Sequence, residues 1–513
     1  MRREWLAGTA PHGDGLMQPE ALHVVTTQGS HVTGAAPFFV LRSNDASWPE
    51  AALLLRHLAN IAPVCLIEVQ DTSLFRTLEG LAAHVMAEMR SWKTDGAPYR
   101  FAGLGSAALL AYEVARQALM RDEPVGFVGA LELPGAVAGV WSDWAAQYQL
   151  EPLPLTVHWF GTTPDAAGSL PQRMAGLAGS SLRQHLDSGQ GHAAADACGD
   201  ELVRCVAEVP AASRATPAEL AYSSLMTIQS PRQPAEPYFC VPGAGASVFD
   251  FLPLASAMGS QVAVHGLQSR GMDGNLLPFG NIEAAVQVHL REIERVAPRQ
   301  PLHLVGHSFG GWVAFELALR LQAQGRIVRS LTLLDSEAPG LSSRVGHEYS
   351  RVEALMLLVW LYEQASGQPL ELTAEQFETA GHAGQLQLLH RQLVKVGLMP
   401  ARSVPEHLRG TLRSFEAAIR TRYQPVGTFN GVARLVLVRG SNEFGDSATR
   451  RMQQAFEGWQ NLAPGLELRI EKGNHVTLLK SPHIDSVAHW MKTDVPNPVP
   501  HSGPVHHGYR FAI

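Results

Sequence analysis

The feature that most constrains the fold of this chain is a short turn around Ser308. An apolar run at residues 302–305, typical of a strand, leads into Gly-His-Ser-Phe-Gly at residues 306–310, and a helical pattern follows. Glycines stand two residues before and two residues after Ser308, where larger side chains would clash in so sharp a strand-to-helix turn. The helix behind the turn directs backbone N–H groups and the positive end of its dipole toward the serine. We therefore predict that Ser308 is a nucleophile.

A serine nucleophile needs a general base, and the base needs an acid that orients it. Turns of this kind are typical of α/β-hydrolases, in which the order along the chain is serine, acid, histidine. His475 lies in a loop just after the last predicted strand, so we predict that it is the base. His483 is the nearest alternative, but it follows a proline and is expected to begin a helix.

Three carboxylates are candidates for the acid. Asp335 ends the strand predicted after the nucleophile helix. Glu443 and Asp446 follow the next predicted strand, a position that many α/β-hydrolases use for the acid. Position alone leaves the choice open, and a carboxylate that is not used would be a solvated loop residue.

The expected oxyanion hole combines two backbone N–H groups. One belongs to Phe309, directly after the nucleophile. The other is expected from the loop that follows the first strand of this domain, Pro-Gly-Ala-Gly-Ala at residues 242–246, whose small residues let a ligand approach the backbone closely. Ala244 is the preferred donor, with Gly243 and Gly245 as alternatives, and a plain glycine turn would have the same composition.

Composition excludes several classes of function. A chain of 513 residues with 46% apolar and 17% charged residues is long enough for several folded domains. The net charge is −7 and no stripe of lysine and arginine is present, so nucleic acid is not an expected partner. No apolar stretch of about 20 residues predicts a membrane span, and no secretory signal is evident, so a cytoplasmic location is expected. The four cysteines lack metal-ligand spacing, so neither metal nor bound cofactor is predicted.

Strand-like runs alternate with helical patterns through most of the chain, which predicts an α/β fold with parallel sheets. Residues 206–236 end in a segment rich in proline and glutamine and are predicted to be an interdomain linker. Residues 341–428 contain helical patterns without a strand, so we expect a lid inserted into the domain at 237–493. Residues 494–513 are rich in proline, histidine and glycine and are expected to form a flexible tail.

The chain also matches itself. With an offset of 203, residues 301–335 align without a gap on residues 98–132. Gly105 then stands at the position of Ser308, and Glu132 at that of Asp335, while His192 lies near the place of the catalytic histidine. We predict two α/β-hydrolase-like domains in tandem, of which the first, residues 1–205, has lost its nucleophile and has no lid.

Ser106 admits two other interpretations. One is a displaced nucleophile, but the residue after the elbow position points away from the oxyanion site. The other is the attachment serine of a carrier domain, in the sequence Gly-Leu-Gly-Ser at residues 103–106. The acidic residue that usually precedes such a serine is absent, and the gapless match favours duplication.

Several motifs taken together resemble the thioesterase domains that terminate nonribosomal peptide and polyketide synthases. The resemblance covers residues 237–492. Its motifs are Tyr-Phe-Cys-Val-Pro-Gly-Ala-Gly at 238–245, Val-His-Gly-Leu-Gln-Ser-Arg-Gly at 264–271, Gly-His-Ser-Phe-Gly-Gly at 306–311, Leu-Leu-Asp at 333–335 and Gly-Asn-His at 473–475. In that family the acid lies at the position of Asp335, and a helical lid follows it. Pro242 departs from the pattern, since the family often has histidine there.

The resemblance implies an enzyme that takes an acyl or peptidyl chain from the phosphopantetheine arm of a carrier protein or synthase module. Ser308 would carry the chain, and water or a nucleophile within the chain would release it. Two other functions stay open. One is a module that chiefly docks carrier proteins, and the other is an esterase for a small ester.

Overall fold

The computed structural model describes most of the chain. Its described residues are 22–27, 36–43, 48–69, 72, 75–92, 97–132, 140–161, 169–175, 181–186, 192–208, 222–233, 235–340, 349–439 and 446–492. The predicted tail at 494–513 and Glu443 therefore lie outside the described residues. None of the described helices is long and apolar enough to cross a membrane.

The first lobe is built on a seven-stranded sheet. Its strands are β1 (Leu22–Thr27), β2 (Phe38–Ser43), β3 (Val64–Val69), β4 (Tyr99–Leu104), β5 (Val125–Glu132), β6 (Thr156–Gly161) and β7 (Ser181–Leu186). Their order is β1-β3-β2-β4-β5-β6-β7, and only β1 is antiparallel to its neighbour. The helices are α1 (Trp48–Ala59), α2 (Leu78–Trp92), α3 (Ala107–Met120), α4 (Val140–Gln147), α5 (Leu170–Met174) and α6 (His192–Glu208).

The second lobe repeats this sheet. Its strands are β8 (Leu225–Gln229), β9 (Tyr238–Val241), β10 (Val264–Leu267), β11 (Leu302–His307), β12 (Val328–Leu334), β13 (Ala433–Arg439) and β14 (Leu466–Lys472), in the order β14-β13-β12-β11-β9-β10-β8. The helices outside the lid are α7 (Leu252–Met258), α8 (Ile282–Val296), α9 (Gly310–Ala323), α13 (Asp446–Leu462) and α14 (His483–Met491). The lid between β12 and β13 holds α10 (Arg351–Ser366), α11 (Ala374–Lys395) and α12 (Arg409–Arg420).

The two sheets are equivalent strand by strand. Strands β4 and β11 and helices α3 and α9 begin and end 203 residues apart, as the self-alignment predicts. Even the register irregularity against the next strand recurs, between Tyr99 and Arg100 in the first lobe and between Leu302 and His303 in the second. The prediction of two α/β-hydrolase-like domains in tandem is therefore confirmed.

The boundary between the lobes differs from the linker predicted at residues 206–236. Helix α6 continues to Glu208, and β8 adds an antiparallel edge strand to the second sheet through β10. The Gln229 side chain fastens this strand by donating to the carbonyls of Gly259 and Val262. A half-exposed edge strand has no continuous apolar pattern, which is why the sequence did not reveal it.

The first lobe packs against the lid and against the loop that follows β10. Leu277 of that loop and Ala417 of α12 are buried in the apolar core of the first lobe. Arg270 donates from Nη1 to Asp122 Oδ1 at 2.7 Å. Arg413 Nε of α12 lies 2.8 Å from Glu151 Oε1. These contacts place the first lobe where it holds the lid rather than at the end of a free linker.

Candidate active site

The turn between β11 and α9 has the geometry that its glycines predict. Ser308 adopts a positive φ of 54°, and its N–H donates to the carbonyl oxygen of Leu334 at 2.9 Å. A Cβ added to Gly306 would lie 2.3 Å from the Gly310 carbonyl oxygen, and one added to Gly310 would lie 2.3 Å from that of Val241. Both contacts are far shorter than atoms tolerate, so only glycine fits on either side of the serine.

Asp335 and His475 meet at the carboxyl ends of β12 and β14. His475 Nδ1 lies 2.7 Å from Asp335 Oδ2, while the Val438 N–H donates to Oδ1 at 3.2 Å. A carboxylate can only accept, so Nδ1 of His475 is the donor, and in the neutral ring the lone pair is then on Nε2. Both side chains and Ser308 line one cavity. The loop positions that sequence analysis selected are therefore brought together in space.

The surroundings of Asp335 keep its carboxyl ionised. Burial by itself raises the pKa, but the hydrogen bond and charge of His475, the charge of Arg451 and the Val438 N–H outweigh that effect. The net pKa lies below its ordinary value. A buried negative charge beside His475 stabilises the positive charge that the imidazole acquires when it takes a proton.

The loop after β9 lies against the nucleophile. A Cβ on Gly243 would approach the Ser308 Cβ to 3.2 Å, and Gly245 takes a positive φ of 61°. Ala244 and Phe309 both line the cavity. Within residues 235–340, the N–H groups of Ala244 and Phe309 donate to no backbone carbonyl. Two backbone donors beside a serine are what an oxyanion hole requires.

The sequence model of the thioesterase domain family matches residues 53–142 and 236–494, more than half of the chain. This protein belongs to the thioesterase domain family. The match in two segments agrees with the two lobes. In the first lobe it leaves out β1, β2, β6 and β7.

Curated relatives of this chain are large synthases and synthetases. Chondramide synthase from Chondromyces crocatus is 25% identical over 264 residues, which are 50% of this chain and 6% of that protein. A nonribosomal peptide synthetase from Aspergillus terreus is 34% identical over 105 residues, which are 20% of this chain and 11% of that protein. The chain spans only 6% and 11% of the length of these relatives.

Solved structures include the Vlm2 thioesterase domain with a bound dodecadepsipeptide. It is 22% identical, covers 53% of this chain and 98% of the Vlm2 chain, and has a TM-score of 0.39. The fold of this chain is shown by its own strand order and by its family.

The cavity extends from the elbow to the lid and has a volume of about 2050 Å³. Most ligand pockets are about 300–1,000 Å³, so this one has room for a ligand the size of several residues. Its polar floor holds Ser308 and His475. The walls carry the aromatic residues Phe249, Trp312, Tyr349, Trp360, Tyr362 and Phe415.

Lid helix α10 touches the loop that carries the histidine. The Asn474 side chain donates to the carbonyl of Gln364 at 3.1 Å, and the Lys480 ammonium donates to that of Ala365 at 3.3 Å. The Trp360 ring lies 6.5 Å from the His475 ring, between centroids. Movement of this helix would therefore displace residues that contact the His475 loop.

His307 contributes a contact that the sequence analysis did not predict. Its Nε2–H donates to the carbonyl of His475 at 2.9 Å, and the two rings lie 4.8 Å apart. Burial, followed by the neighbouring His475 charge, lowers the pKa of His307 to about 3, so the ring is neutral. It positions the His475 loop and is not a second base. A histidine directly before the serine was the only sequence signal for this role.

The first lobe of the thioesterase keeps the shape of the elbow without a nucleophile. Gly105 takes the Ser308 position with a positive φ of 62°, and its N–H donates to the Leu131 carbonyl at 2.9 Å. The Ala107 N–H donates at 3.3 Å to the hydroxyl of buried Ser43, which in the sheet register stands where Gly243 stands in the second lobe. The protein's own hydroxyl thus occupies the N-terminus of α3. Ser106 is buried at that helix end.

The remaining candidates fall as follows. His483 begins α14, as predicted, and is not the histidine that contacts Asp335. Asp446 begins α13 and His192 begins α6, but their side chains lie outside the described residues.

Proposed function

We propose that this chain is a serine thioesterase that releases an acyl or peptidyl chain from a carrier-bound thioester. The observation that carries the proposal is the ordered pair of Asp335 and His475 beside a serine held on a nucleophile elbow. The family and the synthase relatives support the substrate class. The four cysteines are free thiols and buried, which supports a reducing compartment, and we place the protein in the cytoplasm.

In the proposed acylation, His475 Nε2 takes the proton of the Ser308 hydroxyl as Oγ attacks the thioester carbonyl carbon. The carbonyl oxygen gains the electron pair of its double bond and is held by the N–H groups of Ala244 and Phe309. When the carbonyl re-forms, the C–S bond breaks. The departing thiolate takes the proton from His475, which leaves a free thiol and an ester on Ser308.

In the second half of the reaction, water or a hydroxyl or amine of the bound chain attacks that ester. His475 removes the proton of the attacking group and returns one to Ser308 Oγ as the ester bond breaks. The wide cavity with aromatic walls suits a chain that folds back on itself as well as an extended one. We propose no bound cofactor, since the phosphopantetheine arm arrives with the substrate.

The proposal is tested by incubating the full chain with a synthetic peptidyl thioester of a small thiol. Mass spectrometry should show the acyl group on Ser308 and thiol release, and both should disappear in Ser308→Ala. A linear acid as the product indicates hydrolysis, whereas a product lighter than that acid by one water indicates a ring. Equal thiol release by the wild-type protein and Ser308→Ala would overturn the proposal, and release no faster than without protein in both would favour a carrier-docking module. Preference for a small oxygen ester would favour the esterase.

A further inference from the structure

Three potential metal ligands lie together in the first lobe, away from the Ser308 cavity. They are His158 on β6, His185 on β7 and Cys205 on α6, and their donor atoms all lie within 4.8 Å of one another. His158 and Cys205 are buried, in a core layer that is otherwise apolar. The residues are separated along the chain by 27 and 20 positions, which is why cysteine spacing gave no sign of them.

Two of the three donor–donor distances in this cluster are close to those around a tetrahedral ion. His158 Nδ1 lies 3.1 Å from His185 Nε2, and Cys205 Sγ lies 3.6 Å from that same nitrogen. Zinc bound at about 2.0–2.1 Å from nitrogen and about 2.3 Å from sulfur places its ligands at N–N distances of about 3.3 Å and N–S distances of about 3.6 Å. A small ring rotation at His158 would reconcile the shorter distance.

A carboxylate orients the central histidine. Glu201 Oε1 lies 2.8 Å from His185 Nδ1, so Nδ1 is the donor and Nε2 turns its lone pair toward Cys205 and His158. Metal-bound histidines commonly donate their second N–H to a carboxylate in this way. The same helix α6 supplies both Glu201 and Cys205.

The second lobe shows that the cluster is not a remnant of hydrolase chemistry. By strand register, Arg434 and Arg469 take the positions of His158 and His185. Both guanidinium groups lie over the Trp490 ring, 5.3 and 5.7 Å from its centroid. This face of the sheet is therefore filled by an arginine–tryptophan stack in the lobe that carries the nucleophile, and by three metal-type donors in the lobe that lacks it.

We propose that His158, His185 and Cys205 bind a divalent ion of the zinc class, with Glu201 positioning His185. Imidazole and thiolate donors favour such an ion over magnesium or calcium. Solvent completes the tetrahedron. The ion links three elements of the lobe, because β6 supplies His158, the edge strand β7 supplies His185 and the last helix, α6, supplies Cys205.

Cobalt is the probe that tests this site, because a thiolate ligand gives Co²⁺ a charge-transfer absorption that histidine alone does not. Metal-free full-length protein should bind one equivalent of Co²⁺ with this band, and Zn²⁺ should displace it. Cys205→Ser should lose the band. Cys198→Ser, a matched change at another buried cysteine of α6, should keep it. Glu201→Gln should keep the band but weaken binding by about 10- to 100-fold.

Circular dichroism of each variant separates loss of the site from loss of the fold. No band in the wild-type protein, or an equal band in Cys205→Ser, would overturn the proposal. In that case the hydrogen-bonded chain His158–His185–Glu201 would be complete without an ion. Histidines of the tail cannot mimic the expected result, because the band requires the thiolate.

Discussion

Replacing Asp335 with asparagine tests the proposed base more sharply than deleting the side chain. The Val438 N–H donates to one carboxylate oxygen at 3.2 Å, and His475 Nδ1 lies 2.7 Å from the other. An asparagine that keeps its oxygen on the Val438 N–H must turn its NH2 group toward His475. Two donors then meet unless the imidazole moves its proton to Nε2. An imidazole protonated there has no lone pair with which to take the Ser308 proton.

The size of the effect follows from these contacts. To restore the reactive tautomer, the amide must turn over, which leaves mismatched partners at both Val438 and His475. Each mismatched buried group costs about 1–3 kcal/mol. The variant also lacks the negative charge that stabilises the imidazolium. We expect acylation to slow by about 10⁴-fold, as in other serine triads, which corresponds to roughly 5.5 kcal/mol.

Thiol release in a single turnover, with enzyme in excess over a synthetic acyl thioester, measures the acylation step alone. Glu132→Gln is the matched control, because it makes the same change at the equivalent position of the first lobe. The control should react at the wild-type rate. A decrease of only a few fold in Asp335→Asn, with the fold intact, would refute the proposed tautomer control and direct attention to another acid near His475.

Gly306→Ala places a Cβ 2.3 Å from the Gly310 carbonyl oxygen, so the elbow must open. We expect a loss of about 1–3 kcal/mol in stability, measured by thermal unfolding. Fluorophosphonate labelling, measured by mass spectrometry, should also be lost. Glu151→Gln leaves the buried Arg413 guanidinium without its ion-pair partner. This should cost about 3–5 kcal/mol at the lid interface and appear as faster hydrogen exchange in α12. Unchanged exchange would show that the first lobe does not hold the lid. The folded-state pKa of Asp335 lies below its ordinary value, so its contribution to stability is present above the ordinary carboxyl range and is lost as the pH falls through the folded-state pKa. The melting temperature of Asp335→Asn should therefore change less between neutral and acid pH than that of the wild-type protein; parallel curves would contradict the shift.

The sequence was most informative where local chemistry and long-range structure agree. The glycines around Ser308 allow one kind of turn, and helix α9 begins directly after it at Gly310, as the helical pattern predicted. The order of elements placed His475 and three candidate acids at one edge of the sheet, where the carboxyl ends of parallel strands meet, and the family resemblance pointed to Asp335 among them. The self-match that revealed the first lobe also predicted that Gly105 stands at the elbow position of Ser308, and both residues have a positive φ.

Features that depend on contacts between distant segments could not be predicted. Strand β8 is half exposed, so its side chains carry no clear alternation. The role of His307 depends on a carbonyl 168 positions away. The packing of Glu151 against Arg413 joins the two lobes and leaves no periodic pattern in either segment. Each of these follows from how finished elements meet, which is information that local pattern does not contain.

The two lobes also separate what the fold needs from what catalysis needs. In both, a buried glutamate on the helix after the elbow accepts a hydrogen bond from a tyrosine that precedes β6 or β13: Tyr148 donates to Glu113 and Tyr423 to Glu316. That polar contact is retained, whereas the nucleophile is not. Three residues after Tyr148 stands Glu151, the partner of the lid arginine. The retained tyrosine contact thus fixes the segment through which the first lobe reaches the lid. The first lobe therefore contacts the lid through a segment that this tyrosine holds, and it has Gly105 where the second lobe has Ser308.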